Sequence, residues 1–336
     1  MNNNTKFWII LIIISSLSIF VKNIDLKRGK TKKYIFKRVF LQKKIINKKV
    51  TKFNSSSFIS LKDSLICLYK FEKGIASLSF YNKDFRINIL KNIKITNPSF
   101  KQVSSFDLKN IYFINKFNLY SHSIENDKIS KYSFKKLKII KTYPLNIKLG
   151  KLLVLAEFEK NNLFHTGFYI INVFSNEIFK YRIIETNKES KKVENILIYS
   201  GEFSKNNKTI YYTCSKYSKI YIFNNFGEFL KEIQTKDNTP KPKLVSNEYG
   251  FYYKRDNTFN TNNGAFINNN NIYVFSSRTK EKGIIIDLYS LDSGSYEYSI
   301  RFTYKNLTST DLNYVSFFNK KIFLYFENEQ LEIKLE

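Results

Sequence analysis

One unit recurs along the chain: a run of alternating apolar and polar residues, a short turn, then a second such run. Side chains on a strand point to opposite faces alternately, so a period of two marks a half-buried strand, and two such runs flanking a turn mark a hairpin. The clearest copy spans residues 219–234, KIYIFNNFGEFLKEIQ, with Asn225, Phe226 and Gly227 at the turn. Gly227 can take positive φ there at no steric cost. A near copy, residues 283–302, GIIIDLYSLDSGSYEYSIRF, turns at Asp292, Ser293 and Gly294. The same shape is read at 168–183 around Asn176, 128–143 around Lys135, 75–90 around Asn82 and 321–335 around Asn328.

These six centres are spaced by 53, 41, 50, 67 and 35 residues, about 49 on average, and four-stranded propeller blades repeat at roughly 40 to 50 residues. Short strands precede the two best hairpins, TIYYTC at 209–214 and NIYVFS at 271–276. No sustained apolar pattern of helical period follows residue 55. The expected fold is therefore all-β, a six-bladed β-propeller over residues 55–336. A β-sandwich needs about 100 residues, so this length would demand two or three of them, and no Pro/Gly/Ser-rich linker divides the chain.

Apolar residues make up 43% of the 336, enough for a large core, and the excess of Ile, Phe and Tyr favours strands. The formal charge of +28 invites a nucleic-acid or anionic-surface reading. Only seven of the 56 basic residues are Arg, however, and phosphate recognition favours the bidentate guanidinium. Lys, Asn, Ile, Phe and Tyr are inflated together, as AT-rich codons would produce. Aromatics interleave with lysines, as in Tyr34-Ile35-Phe36-Lys37-Arg38, but mostly at strand period, where they face a core; nucleic acid is not the expected partner. Residues 22–52 alone carry +12. Residues 22–54 read as a basic arm or linker without core periodicity, so a chain beginning near Ser55 is expected to fold alone. Otherwise the arm supplies a closing strand through residues 34–41.

Residues 7–21, FWIILIIISSLSIFV, are uncharged and follow one lysine, Lys6. As a helix they rise only about 22 Å, short of the ~30 Å hydrocarbon core, which fits a signal segment or signal anchor over residues 1–21 better than an ordinary span. Ser16 and Ser18 are the small residues at which cleavage would occur. The lysine-rich flank lies C-terminal to the apolar stretch, against the positive-inside rule for an exported body. Its extreme N-terminal position and the β-rich body still favour export, to the periplasm or cell surface, with membrane association through residues 7–21.

The segments at 201–245, GEFSKNNKTIYYTCSKYSKIYIFNNFGEFLKEIQTKDNTPKPKLV, and 250–302, GFYYKRDNTFNTNNGAFINNNNIYVFSSRTKEKGIIIDLYSLDSGSYEYSIRF, resemble TolB-like six-bladed propellers of Bacteroidetes-type bacteria. That resemblance covers about a third of the chain well, is fainter over 60–200, and is absent from the basic arm. It implies an exported or membrane-anchored propeller without an assigned reaction, and carries no active-site residues.

No catalytic motif emerges. His122 and His165 stand alone, without a carboxylate or Cys at ligand spacing, and read as surface or loop histidines; no nucleophile turn of the GxSxG type is present. Cys67 and Cys214 sit in apolar, strand-like surroundings and read as buried free thiols, with one long-range disulfide as the alternative. Asp107, Asp256 and Asp311 are the carboxylates from which a lactonase-like calcium site at a channel mouth would be built, though turn or capping roles are the simpler reading. No cofactor or metal is expected. Pro240 and Pro242 make residues 239–243 an extended connector. Beyond it, Lys254, Arg255, Asp256 and Asn257, with the Asn-rich run 260–271, form the longest irregular stretch, and long loops on rigid scaffolds carry binding function. The expected activity is non-catalytic recognition of a protein or peptide through that loop. A hydrolase or lactonase at the channel, and an anionic-surface binder acting through the basic arm, are the alternatives.

Overall fold

The structure is a computed structural model. It describes residues 36–41 and 45–335, apart from 53–57, 63–64, 73–74, 82–86, 95–102, 107–108, 116–117, 124, 127, 147, 207, 255–257, 280, 319–320 and 327–328; over 45–103 only the main chain is described. Two compact units divide the chain, Met1–Lys37 and Arg38–Glu336. The expected signal or anchor at residues 1–21 lies outside the described residues.

Strand β1 (Ile45–Lys52) is followed by four-stranded antiparallel sheets in strict chain order. The first holds β2 (Phe58–Lys62), β3 (Leu65–Glu72), β4 (Ile75–Tyr81) and β5 (Ile87–Lys94). The second holds β6 (Val103–Phe106), β7 (Asn110–Asn115), β8 (Asn118–Ser123) and β9 (Ile129–Ser133). The third holds β10 (Leu137–Asn146), β11 (Lys151–Lys160), β12 (Leu163–Asn172) and β13 (Glu177–Asn187). Helix α1 (Lys192–Ile198) leads to the fourth, with β14 (Gly201–Asn206), β15 (Thr209–Cys214), β16 (Lys219–Asn224) and β17 (Phe229–Gln234). A separate hairpin, β18 (Leu244–Asn247) and β19 (Gly250–Tyr253), precedes the fifth sheet, of β20 (Asn262–Asn268), β21 (Asn271–Ser276), β22 (Ile284–Ser290) and β23 (Tyr296–Phe302). The sixth runs β24 (Tyr314–Phe318), β25 (Lys321–Tyr325), β26 (Glu329–Leu335) and then β1, so its fourth strand comes from the other end of the chain.

The chain is therefore all-β in six sheets of four, with hairpins at Asn176, Asn225–Gly227 and Asp292–Gly294 as expected. Gly227 and Gly294 take φ of 82° and 71°. The turns expected at Asn82 and Asn328 fall outside the described residues, but the strands flanking them do pair, β4 with β5 and β25 with β26. The expected hairpin at 128–143 is not one. Its two runs belong to different sheets, and the Lys135–Lys136 turn carries the chain from β9 to β10. Phe134 and Leu137, which flank that turn, are buried between the second and third sheets, and this fixes the crossover there. The hairpin of the second sheet is β8–β9, closed by the Ser123 N–H on the Lys128 carbonyl at 2.9 Å.

The apolar runs of the middle strands are explained by burial on both faces. In β15, Ile210, Tyr212 and Cys214 pack towards the third sheet while Tyr211 packs towards the fifth. In β16, Tyr221 and Phe223 face the third sheet, and Ile220 and Ile222 the fifth. Strand β11 likewise sends Leu153 and Leu155 to the fourth sheet, and Leu152, Val154 and Ala156 to the second. Fully burying one such side chain is worth roughly 1.5–3 kcal/mol, so these two-sided strands dominate the core. The last strands keep the simpler alternation, as in β17.

The basic stretch expected as a dispensable arm is partly woven into this body. Strand β1 pairs along its length with β26, and the register sets Lys49 opposite Glu332 and Lys52 opposite Glu329. Residues 38–41 run beside β23, where Ser299 donates its N–H to the Val39 carbonyl at 2.8 Å and Leu41 donates to the Ser299 carbonyl at 3.0 Å. The first strands of the sheets approach one another, β2 to β6, β6 to β10, β14 to β20 and β20 to β24, and β14 also approaches β2.

Candidate functional site

A cavity lies where the chain crosses from the third sheet to the fourth. Leaving β13, it passes Ser190 and makes the two turns of α1 before entering β14. Too short to show a helical apolar period, α1 was not legible in sequence. It buries Asn195 and Ile198 and leaves Val193 and Ile196 exposed. Its anchor is Glu157, an acid set in the doubly buried β11 and completely shielded from solvent. A carboxyl group there is costly unless its oxygens find donors. Glu157 accepts from Ser190 Oγ at 2.5 Å, the Lys191 N–H at 2.7 Å and Asn195 Nδ2 at 3.1 Å. Asn195 Nδ2 also donates to Thr166 Oγ1 at 2.8 Å, and Lys138 Nζ lies 3.6 Å from Glu157 Oε1.

The other end of α1 is held as firmly. The Tyr253 hydroxyl of β19 donates to the Leu197 carbonyl at 2.9 Å, pinning the β18–β19 hairpin to the helix. Tyr199 donates its hydroxyl to Glu185 Oε2 at 2.8 Å, and Lys241 pairs with the same carboxylate. Burial alone would raise the Glu185 carboxyl, but the bonds from Lys241 and Tyr199 hold it below its ordinary value.

Between these supports lies a cleft of about 780 Å³, walled by Lys138, Ile140 and Lys141 of β10, Lys192 of α1, Glu202 of β14 and Phe251 of β19. That volume falls within the range of small-ligand sites, roughly 300–1,000 Å³. Lys141 pairs with Glu202 at 2.7 Å. The Lys192 ammonium is pushed down to about 8, first by burial and then by the neighbouring Lys138, with Glu157 acting in the opposite sense. Tyr249 and Tyr252 stand exposed on the hairpin beside Phe251.

A second buried polar cluster lies between the fourth and fifth sheets. Asp237 accepts from the hydroxyls of Ser218 and Thr235 and from the Thr239 N–H, and burial raises its carboxyl above the ordinary range despite these bonds. Arg278 Nη1 donates to Thr239 Oγ1 at 2.9 Å. Nearby, Asp287 of β22 receives the Arg38 guanidinium. Glu157 and Asp287 share one sequence signal: each is a lone acid inside an apolar strand run, LLVLAEF and IIIDLYS.

The residues singled out in sequence fall elsewhere. Lys254 is exposed, and its N–H bonds the Lys243 carbonyl at 2.8 Å, so it extends the β18–β19 ladder. Arg255, Asp256 and Asn257 lie outside the described residues, as does Asp107. Asp311 caps its own short 3-10 turn, accepting from the Thr308 N–H at 2.7 Å and hydroxyl at 2.9 Å. His122 and His165 are strand residues rather than surface-loop ones. His122 is buried in β8, and His165 in β12 bonds Thr186 Oγ1 at 2.9 Å through Nδ1. Cys214 is a free, buried thiol that burial pushes far above its ordinary value. Among the described residues no group of three or more His, Cys, Asp or Glu is placed to hold a metal ion, and no helix is long and apolar enough to cross a membrane.

The three-dimensional comparison finds a member of the DUF4221 family from Bacteroides vulgatus, with a TM-score of 0.49 and 10% identity, over 89% of this chain and 99% of that one. A protein of unknown function from Bacteroides caccae matches with a TM-score of 0.39 and 9% identity, over 78% of this chain and 82% of that one. No family model and no curated protein matches the sequence.

Proposed function

We propose that the body of the chain is a six-bladed β-propeller of the TolB-like kind, held at the periplasmic or outer side of a membrane by residues 7–21, which recognises a protein or peptide partner without catalysing a reaction. The propeller reading draws support from six sheets in chain order, the second to the sixth packed face on face, from first strands that approach one another, and from an N-terminal strand completing the last sheet. A strand from one end of the chain in the other end's sheet is what closing such a ring requires.

The observation that carries the binding reading is the α1 cleft, about 780 Å³, walled in part by the exposed Phe251, on a hairpin that also exposes Tyr249 and Tyr252. Exposed aromatics around a rigid concavity are the residues from which protein-recognition sites are built. Residues 254–257, the candidate loop read from the sequence, follow directly on this hairpin along the chain. A photo-crosslinking residue in place of Phe251 is expected to capture one partner in the native cells. The same substitution at Phe226 is the control. Phe226 occupies a hairpin turn at the opposite end of the sheets, where Gly227 packs towards Leu145 and Ile170. Capture at Phe226 alone, or at neither position, overturns the reading.

A further inference from the structure

A smaller polar cavity, about 150 Å³, lies between β14 and β15 of the fourth sheet, β20 of the fifth and the start of β24 in the sixth. That is room for about five water molecules at roughly 30 Å³ each. The register sets Thr213 opposite Glu202, on the same face of the fourth sheet as Tyr211, which packs towards the fifth. From β20, Asn262 Nδ2 donates to the Cys214 carbonyl at 3.0 Å, which fixes the amide and leaves Oδ1 as an acceptor. Asn262 and Thr213 are only 2% and 5% exposed, yet neither Asn262 Oδ1 nor Thr213 Oγ1 has a hydrogen-bond partner among the described residues. Burying a polar atom without a partner is unfavourable, and here two of them belong to the walls of one cavity.

We propose that this cavity binds a small neutral polyhydroxylated ligand, a polyol or a single sugar unit, whose hydroxyls bond Asn262 Oδ1 and Thr213 Oγ1. Charge selects the class. In a chain with 56 basic residues, no Lys or Arg among the described residues lines this cavity, which argues against an anion. Its one carboxylate among them, Glu202, is already paired with Lys141 at 2.7 Å, so no net negative charge calls for a cation. What remains on the walls is hydroxyls and amides, from Ser204, Ser215, Asn263 and Asn313 besides Thr213 and Asn262. Groups that both donate and accept suit ligand hydroxyls, which do the same. Ala265, Leu312 and Val315 supply apolar wall for the C–H groups between those hydroxyls. The cavity borders the α1 cleft, sharing Glu202 and Ser215 with it, but does not depend on the cleft taking a protein partner.

The test is saturation-transfer NMR on the full chain with glycerol, xylose and glucose as probes, each at millimolar concentration. Transfer to at least one of them is expected; glycerol alone identifies a polyol, and xylose or glucose identifies a sugar ring. Thr213→Val keeps the branched shape and removes the hydroxyl. It should weaken binding about tenfold, the loss of one hydrogen bond to the ligand. Its melting temperature without ligand should equal or exceed the parent's, because a buried hydroxyl without a partner is replaced by a methyl group. Thr213→Ser should retain binding, and Thr303→Val, at an exposed position outside the cavity, should change nothing. Absence of transfer to all three probes overturns the inference, as does transfer unchanged in Thr213→Val. A lower melting temperature in Thr213→Val also overturns it, by showing that the fold itself uses the hydroxyl. Calcium or potassium chloride that raises the melting temperature of the parent but not of Thr213→Val would assign these oxygens to a cation and overturn it too. Partner recognition at the α1 cleft is decided separately, by crosslinking at Phe251.

Discussion

Arg38 and Asp287 meet in a bidentate pair, Nε to Oδ1 at 2.8 Å and Nη2 to Oδ2 at 3.0 Å, with both side chains withdrawn from solvent. Ser276 Oγ accepts from the same guanidinium at 2.8 Å, and Ser299 Oγ donates to the carboxylate at 2.6 Å. The pair fastens the entry of the folded body to β22, far along the chain. Removing one partner leaves a buried charge uncompensated, so Arg38→Ala is expected to lower stability by about 3–5 kcal/mol. Arg38→Met combined with Asp287→Leu should recover most of that loss. Denaturant melts of the three proteins decide it. A chain starting at residue 55 should melt earlier than one starting at residue 36, since it lacks both this pair and β1.

Gly294 occupies the β22–β23 turn with φ of 71°, and a Cβ there would meet Ile233 Cγ1 at 3.4 Å. The space is adequate, so the backbone conformation is what excludes a side chain. Gly294→Val is expected to cost about 1–3 kcal/mol. Lys254→Ala, an exposed position, should stay within about 0.5 kcal/mol. Equal losses in thermal melts would contradict this assignment.

Lys192 gives stability a dependence on alkaline pH. Its folded value, about 8, lies below its unfolded one near 10.4. Below pH 8 the side chain is charged in both states, and folding bears the cost of burying it. Between the two values the unfolded chain binds the proton that the folded chain has released, so this residue's share of stability rises with pH. Lys192→Met should therefore be more stable than the parent at pH 7, with the difference shrinking towards pH 10. A constant difference across melts at pH 7, 9 and 10 would count against the depressed ammonium.

Burial and a raised thiol keep Cys214 in its unreactive form. Alkylation mapped by mass spectrometry should leave the peptide carrying Cys214 unmodified in the folded protein and modify it fully in denaturant. Rapid labelling under native conditions would mean that the interface between the third and fourth sheets opens readily.

Export requires the C-terminus to lie outside the cytoplasm. A reporter active only there, fused after Glu336, should be active, and deleting residues 7–21 should silence it. Activity confined to a cytoplasmic reporter would reverse the topology in favour of the lysine-rich flank.

Five of the six sequence hairpins correspond to paired strands, and TIYYTC and NIYVFS coincide with β15 and β21, because strand alternation and turn chemistry are local properties that a single segment carries. At Lys135 the sequence is ambiguous, because a turn between two runs looks the same whether the runs pair with each other or part into different sheets; the burial of Phe134 and Leu137 between sheets settles that. The cleft was not legible. Lys138, Glu157 and Lys192 come from a strand, its neighbour and a helix of seven residues, and no spacing in sequence relates them. Sequence by itself determined strand class, the repeat and the turns, since each depends on side chains within a few residues of one another. Only the tertiary structure decided that Arg38 is buried, that β1 closes the last sheet and that four lysines share one cavity, since those outcomes depend on which distant surfaces must be brought together to exclude water.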